Sequence, residues 1–169
     1  MPGGELNVDA AFPVEQLRPL HAELFPGPQL EGRHTASCEV HFAPFELPNP
    51  NDDEASEEYE PLTFESPLRL DSIDLPSLNL SELAGQAFAF PTNPVPGYID
   101  GSIYFVGAHN PVDITRIEFG RLTEHGLPVI FEGTWLMEFE ASGFQDFAVT
   151  IRTTLRLREV QNHTDSHDG

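Results

Sequence analysis

Residues 129–140 read VIFEGTWLMEFE, and residues 147–158 read FAVTIRTTLRLR. In the first run Val129, Phe131, Gly133, Trp135, Met137 and Phe139 hold the odd positions, and Glu132, Thr134, Glu138 and Glu140 are among the even ones. In the second, Phe147, Val149, Ile151, Leu155 and Leu157 alternate with Thr150, Arg152, Thr154, Arg156 and Arg158. Successive side chains on a strand point to opposite faces, so this period of two predicts two strands, each with one buried face. The connection ASGFQD contains Gly143 and is short enough for a hairpin. On the wet face Glu132, Glu138 and Glu140 are then expected beside Arg152, Arg156 and Arg158, each opposite-charge pair contributing about 0.2–1 kcal/mol. The expected role of these charges is mutual neutralisation, not the paired carboxylates of a glycosidase.

Working back along the chain, the same alternation recurs in shorter runs. In residues 37–42 Cys38, Val40 and Phe42 alternate with Glu39 and His41. LTFE, LRLDSIDL, AFAF and YIDGSIYFV read as further strands, and LSELAG as one helical turn closed by Gly85. Two stretches also resemble each other. Residues 66–78 (SPLRLDSIDLPSL) and 110–122 (NPVDITRIEFGRL) align without gaps. In both, the apolar phase slips by one midway, from Leu68 and Leu70 to Ile73 and Leu75, and from Val112 and Ile114 to Ile117 and Phe119. One extra residue in mid-strand is what a β-bulge requires, so bulges are predicted near Asp71–Ser72 and Thr115–Arg116. Each copy follows a strand, CEVHF or SIYFV. The chain therefore reads as two related two-stranded units followed by a long hairpin.

The remaining segments lack this alternation. Residues 1–30 are rich in proline; Pro13 precedes VEQL and Pro19 precedes LHAELF, each placed to open a short helical turn. Pro26, Gly27 and Pro28 mark the end of that segment. Residues 48–61 (PNPNDDEASEEYEP) carry Asp52, Asp53, Glu54, Glu57, Glu58 and Glu60, and read as a solvated loop with little to bury. Residues 161–169 are polar and are expected to form a disordered tail. The organisation expected is an N-terminal segment over 1–30, an all-β domain over 31–160 with an acidic insertion, and the tail. The fold class expected is a single, mainly antiparallel all-β domain, a sandwich or partly open barrel of about seven to nine strands. Phe64, Ile103, Phe105, Ile117, Phe119, Phe131, Trp135, Phe139, Phe147, Val149 and Ile151 should form its core.

Charge restricts the function. Asp and Glu number 28 against 8 basic residues in a chain of 169, a net of −20. All eight basic residues are arginine; average usage would supply about ten lysines. Nucleic acid and anionic membranes both need a basic surface, so neither is an expected partner. The first residues lack the basic start and apolar run of a secretory signal, and no stretch has the length of a spanning helix. The cytoplasm is the expected compartment. Cys38 is the one cysteine, which removes an internal disulfide and cysteine zinc sites; its apolar phase predicts a buried, inert thiol.

Motifs for chemistry are sparse. GxGxxG, GxxxxGK[ST] and GxSxG do not occur. DDEASEE lacks the central glycine and alternating ligands of a calcium loop. Of seven histidines, His163 and His167 alone have a ligand spacing, and they lie in the polar tail, so no metal or other cofactor is expected. His109 and Asp113 flank Pro111, which offers an imidazole and a carboxylate at a strand end but no obvious nucleophile. The reading that follows is a non-enzymatic acidic protein that engages a basic protein partner through Asp52, Asp53, Glu54, Glu57, Glu58 and Glu60, such as an inhibitor or toxin-immunity protein. The alternatives are a small-ligand or hydrolytic β-domain using His109 and Asp113, and an assembly subunit acidic for solubility. The sequence sets no oligomeric state.

Overall fold

The computed structural model describes residues 9–30 and 32–159; the tail, with His163 and His167, lies outside them. In chain order the strands are β1 (Pro19–Leu30), β2 (Arg33–Phe42), β3 (Phe45–Leu47), β4 (Leu62–Phe64), β5 (Leu68–Ile73), β6 (Ala87–Ala89), β7 (Asp100–Phe105), β8 (Ala108–Phe119), β9 (Leu127–Trp135) and β10 (Phe147–Leu157). Seven of them close a barrel in the order β1-β2-β5-β7-β8-β9-β10. β6 adds to the end of β8, and β3 and β4 form a separate two-stranded sheet. Neighbours around the ring are antiparallel except β1 and β10, which pair in parallel with Ala22 opposite Leu155. Alternating directions cannot close on an odd number of strands, so one parallel pair is required. The all-β expectation holds, and the sheet is fully closed.

The parallel seam lies where the sequence reading goes wrong. LHAELF is not a helical turn. It is the start of β1, and the barrel begins at Pro19, well before residue 31. Val14–Gln16, after Pro13, does form one 3₁₀ turn. The prolines of β1 sit where a strand tolerates them: Pro19 opens it, and Pro26 and Pro28 lie at a register shift against β2. β10 pairs only with residues 22–24, so neither Pro26 nor Pro28 is asked for a ladder hydrogen bond on that side. Ala22 and Leu24 are buried, with His21, Glu23 and Phe25 on the outer face.

Both predicted bulges are present. Ala36 faces Ile73 and Cys38 faces Leu70, so β5 spends an extra residue at Asp71–Ser72. Ser72 relieves it with φ of 62°. Ile114 faces Gly133 and Arg116 faces Glu132, so β8 spends its extra residue at Thr115. Gly133 is demanded there, because a Cβ would stand 2.0 Å from the Asp113 carbonyl oxygen. The phase slips accordingly: Leu68, Leu70 and Ile73 are buried, as are Val112, Ile114, Ile117 and Phe119. The expected helical turn forms as α1 (Leu80–Leu83), its first turn capped by the Asn79 side chain, which accepts from the Ser81 N–H.

The barrel is filled. One end is plugged by Phe12, whose ring contacts Phe45, Phe64, Phe105, Trp135, Phe144 and Phe147 at centroid distances of 5.0–6.2 Å. Aromatic rings in edge-on contact gain beyond their area burial, and Phe12 joins the N-terminal segment to the core. The expected core residues are buried, with two exceptions. Phe147 is half-buried, stacked on Phe12. Phe139 is 74 % exposed, because β9 ends at Trp135 and the alternation of the sequence does not continue as strand.

Candidate functional site at the plugged end

The plugged end is where three segments meet. These are residues 9–18 before β1, residues 43–67 between β2 and β5, and residues 136–146 between β9 and β10. Hydrogen bonds join them. The Ala10 N–H donates to Gly143 O at 2.8 Å, and the Gln145 N–H to Ala10 O at 2.7 Å. The acidic loop is tied down too: Asn51 Nδ2 donates to Ser142 O at 3.0 Å. Within the loop the Asn49 N–H donates to the Tyr59 hydroxyl, and the Glu60 N–H to Asp52 Oδ2. The loop is therefore solvated, as expected, but shaped by its own turns and anchored to its neighbour.

Asp52, Asp53, Glu54, Glu57, Glu58 and Glu60 are all exposed on it. Glu138 and Glu140 follow on the neighbouring loop, with Asp9 on the N-terminal segment. Glu138 and Asp146 lock that loop by exchanging side-chain and backbone hydrogen bonds of 2.8 and 3.0 Å. Two grooves run between the segments. One of about 670 Å³ is lined by Asp9, Pro50, Asn51, Asp52, Glu138, Ala141 and Gly143. The other, about 560 Å³, has an apolar floor of Ala10, Ala11, Pro13, Pro48, Pro50 and Phe144, with Asp52 and Glu54 on its rim. Exposed Phe139 stands between Glu138 and Glu140. Arg18 is the one arginine in the three segments.

Three other arginines serve the barrel wall. Arg158 holds Glu23 and Glu39 at 2.8 and 2.6 Å and lies 3.9 Å over the Phe25 ring. Arg69 bridges Glu39 and Asp71, each at 3.1 Å. Arg116 reaches Glu118 at 3.1 Å and Glu132 at 3.9 Å. The Arg158 hydrogen bond holds the Glu23 carboxyl below its ordinary range, against the opposing effect of burial. The neutralisation expected across the final hairpin is thus not the one formed. Glu132 faces Thr150, Arg152 faces Ile130, and Glu138 and Glu140 lie in the turn beyond β9. The sequence placed these charges on one hairpin; the ring puts Arg158 beside β1 and β2 instead.

No protein-family model, curated protein or solved structure matches this chain. The site is read from its own chemistry.

The alternative pair does not assemble. His109 and Asp113 lie four residues apart on β8, which at strand rise puts their backbones about 13 Å apart. His109 pairs with Tyr104 across the ladder, ring edge to face at 5.0 Å. The intervening Pro111 makes no turn, because the reversal comes earlier, at Val106 and Gly107 with φ of 53° and 76°. Cys38 is buried, and burial pushes its thiol pKa up, as an inert core thiol requires. Among the described residues no helix is long and apolar enough to cross a membrane.

Sequence reasoning missed Phe139 as a surface residue, and Asp9, Glu138 and Glu140 as neighbours of the acidic loop. The apolar alternation assigns Phe139 to the core unless the end of β9 is known.

Proposed function

We propose that this chain is a non-enzymatic binding protein that docks a basic segment of a partner protein on its plugged, acidic end. The observation that carries this is the meeting of the acidic loop with residues 9–18 and 136–146. That meeting surrounds two grooves with carboxylates and leaves Phe139 exposed among them. Interfaces join an apolar anchor to a polar rim, and their hot spots favour aromatic residues. Here Phe139 and the floor of Ala10, Ala11 and Phe144 supply the anchor, and the carboxylates supply the rim. Wall carboxylates are engaged by Arg69, Arg116 and Arg158, whereas among the described residues no arginine is paired with a carboxylate of this end. Carboxylates without an arginine partner therefore gather around the grooves. Occupying a basic surface blocks it, so an inhibitor or toxin-immunity role fits this reading.

The test uses the full chain and a fluorescent peptide that interleaves arginine with leucine, followed by stopped flow at low and high salt. Replacing Asp52, Asp53, Glu54, Glu57, Glu58 and Glu60 by Asn or Gln should slow association at low salt and matter little at high salt. Phe139→Ala should speed dissociation instead, since docked apolar contacts govern residence time. A wall control, Glu118→Gln with Glu132→Gln, should change neither. Equal effects of loop and wall variants would overturn the proposal and leave solubility as the explanation of the acidity.

A further inference from the structure

On the outer face of the barrel wall, β1 and β2 bring two histidines together. His21 and His41 are direct cross-strand partners, and Glu23 and Glu39 are the next outward-facing pair. The two imidazoles stack at 4.8 Å. His21 Nε2 lies 3.7 Å from Glu23 Oε2, and His41 Nε2 lies 3.7 Å from Glu23 Oε1 and 3.6 Å from Glu39 Oε1. One donor atom from each of His21, Glu23 and His41 falls within 4.8 Å of the others. We propose that His21, His41 and Glu23 form a binding site for a first-row divalent cation, with zinc the favoured ion.

Three features support this. First, the 3.7 Å between His21 Nε2 and Glu23 Oε2 is too long for a hydrogen bond, yet close to what a shared ion needs. Two ligands about 2.1 Å from a tetrahedral zinc stand about 3.4 Å apart. Second, His41 Nε2 is a buried nitrogen with no hydrogen-bond partner, although carboxylate oxygens lie on two sides of it. A buried polar atom without a partner is costly, and a bound ion would satisfy it. Third, the supporting groups are in place. Arg158 hydrogen-bonds Glu23 Oε1 at 2.9 Å. That orients the carboxylate and leaves Oε2 for the ion, as second-shell donors do in metal sites. Arg158 and Arg69 hold the two oxygens of Glu39, so water reaches the fourth position, through a cleft of about 320 Å³ that borders His21 and Glu23.

The local charges allow a dication. Glu23, Glu39 and Asp71 outnumber Arg69 and Arg158 in the surrounding network, with Arg156 and Glu159 at the cleft mouth. Two imidazoles and a carboxylate select zinc, copper or nickel over the oxygen-seeking magnesium and calcium. Spacing within a single strand cannot reveal such a site, so the expectation of no metal, drawn from histidine spacing, did not cover it.

The test is calorimetric titration of untagged, chelator-stripped protein with zinc chloride, alone and in excess magnesium and calcium. One saturable zinc per chain is expected, undisturbed by either competitor. His21→Asn and His41→Asn keep a polar side chain on the strand and should each weaken binding more than about tenfold. A His163→Ala, His167→Ala double variant should bind like the parent. Cobalt added to the unaltered protein should shift and broaden the ring resonances of His21 and His41, which removes any dependence on variant folding. No stoichiometric uptake, unchanged affinity in both strand variants, loss of binding in the tail variant, or cobalt broadening confined to the acidic loop would each overturn the proposal.

Discussion

The two copies of the repeated stretch occupy matching places in the barrel and differ in what joins their strands. In the first, β2 and β5 are separated by residues 43–67, which hold the β3–β4 sheet and the acidic loop. In the second, β7 and β8 are joined through Val106 and Gly107, whose positive φ values suit a two-residue hairpin turn. Their bulges fall at equivalent residues but on different edges. Asp71–Ser72 bulges against its own partner strand β2, and Thr115 bulges against the next strand, β9. Even the first residue of each copy is used differently. Asn110 is fully buried and donates to Phe105 O and Ala108 O, holding the tight turn. Ser66 accepts from the Tyr104 N–H at the surface, pinning the first unit to the second. The recurring pattern encodes a bulged strand; the connection between strands is where the copies diverge and where the acidic end is built.

Breaking the bulges should separate the copies most. Gly133→Ala sets a methyl against the Asp113 carbonyl, and the strand pair has to part. A loss of about 3 kcal/mol or more in urea denaturation is expected, at the large end for point changes. A loss under 1 kcal/mol would mean that the bulge on β8 relaxes freely.

Next in size come the paired first residues. Asn110→Ala leaves the Phe105 and Ala108 carbonyls without their donor and should cost about 2 kcal/mol. Ser66→Ala, at the equivalent place, should cost less than about 1 kcal/mol, because water can replace the hydroxyl. Equal losses would show that the two connections constrain their strands alike.

The smallest effects should differ in sign. Ser72→Gly relieves a left-handed residue and should raise stability by about 0.5 kcal/mol, with the unfolded-state entropy of glycine offsetting part of the gain. Arg116→Gly, its counterpart, gains no such relief and loses the contacts to Glu118 and Glu132, so a cost of about 1 kcal/mol is expected. Thermal melts of the two variants suffice, and a shift in the same direction for both would equate the bulges.

Much of this fold was legible because strand chemistry is local. Alternation marked β2, β7, β8, β9 and β10, the phase slips marked both bulges, and Gly85 marked the single turn of α1. Wherever the pattern was read past its support, it misled. Phe139 keeps the apolar phase of β9, but the strand has ended, and nothing in the alternation records where a ladder partner runs out. β1 was illegible for the opposite reason: its prolines argue against a strand, and only pairing to both β2 and β10 overrides them.

The six loop carboxylates could be named from composition alone, since a run of like charges has nothing to bury and must be solvated. Their neighbours could not. Asp9 and Glu138 lie far from the loop along the chain and are brought to it by the Ala10–Gly143 backbone bond and by the Asn51 side chain on the Ser142 carbonyl, pairings that no local pattern announces. The pairing of His21 with His41 is of the same kind. Residue types and their faces belong to the sequence, because they follow from a period of two. Which faces meet is set by register and closure, and closure of this ring joins the first strand to the last, a pairing between residues far apart along the chain.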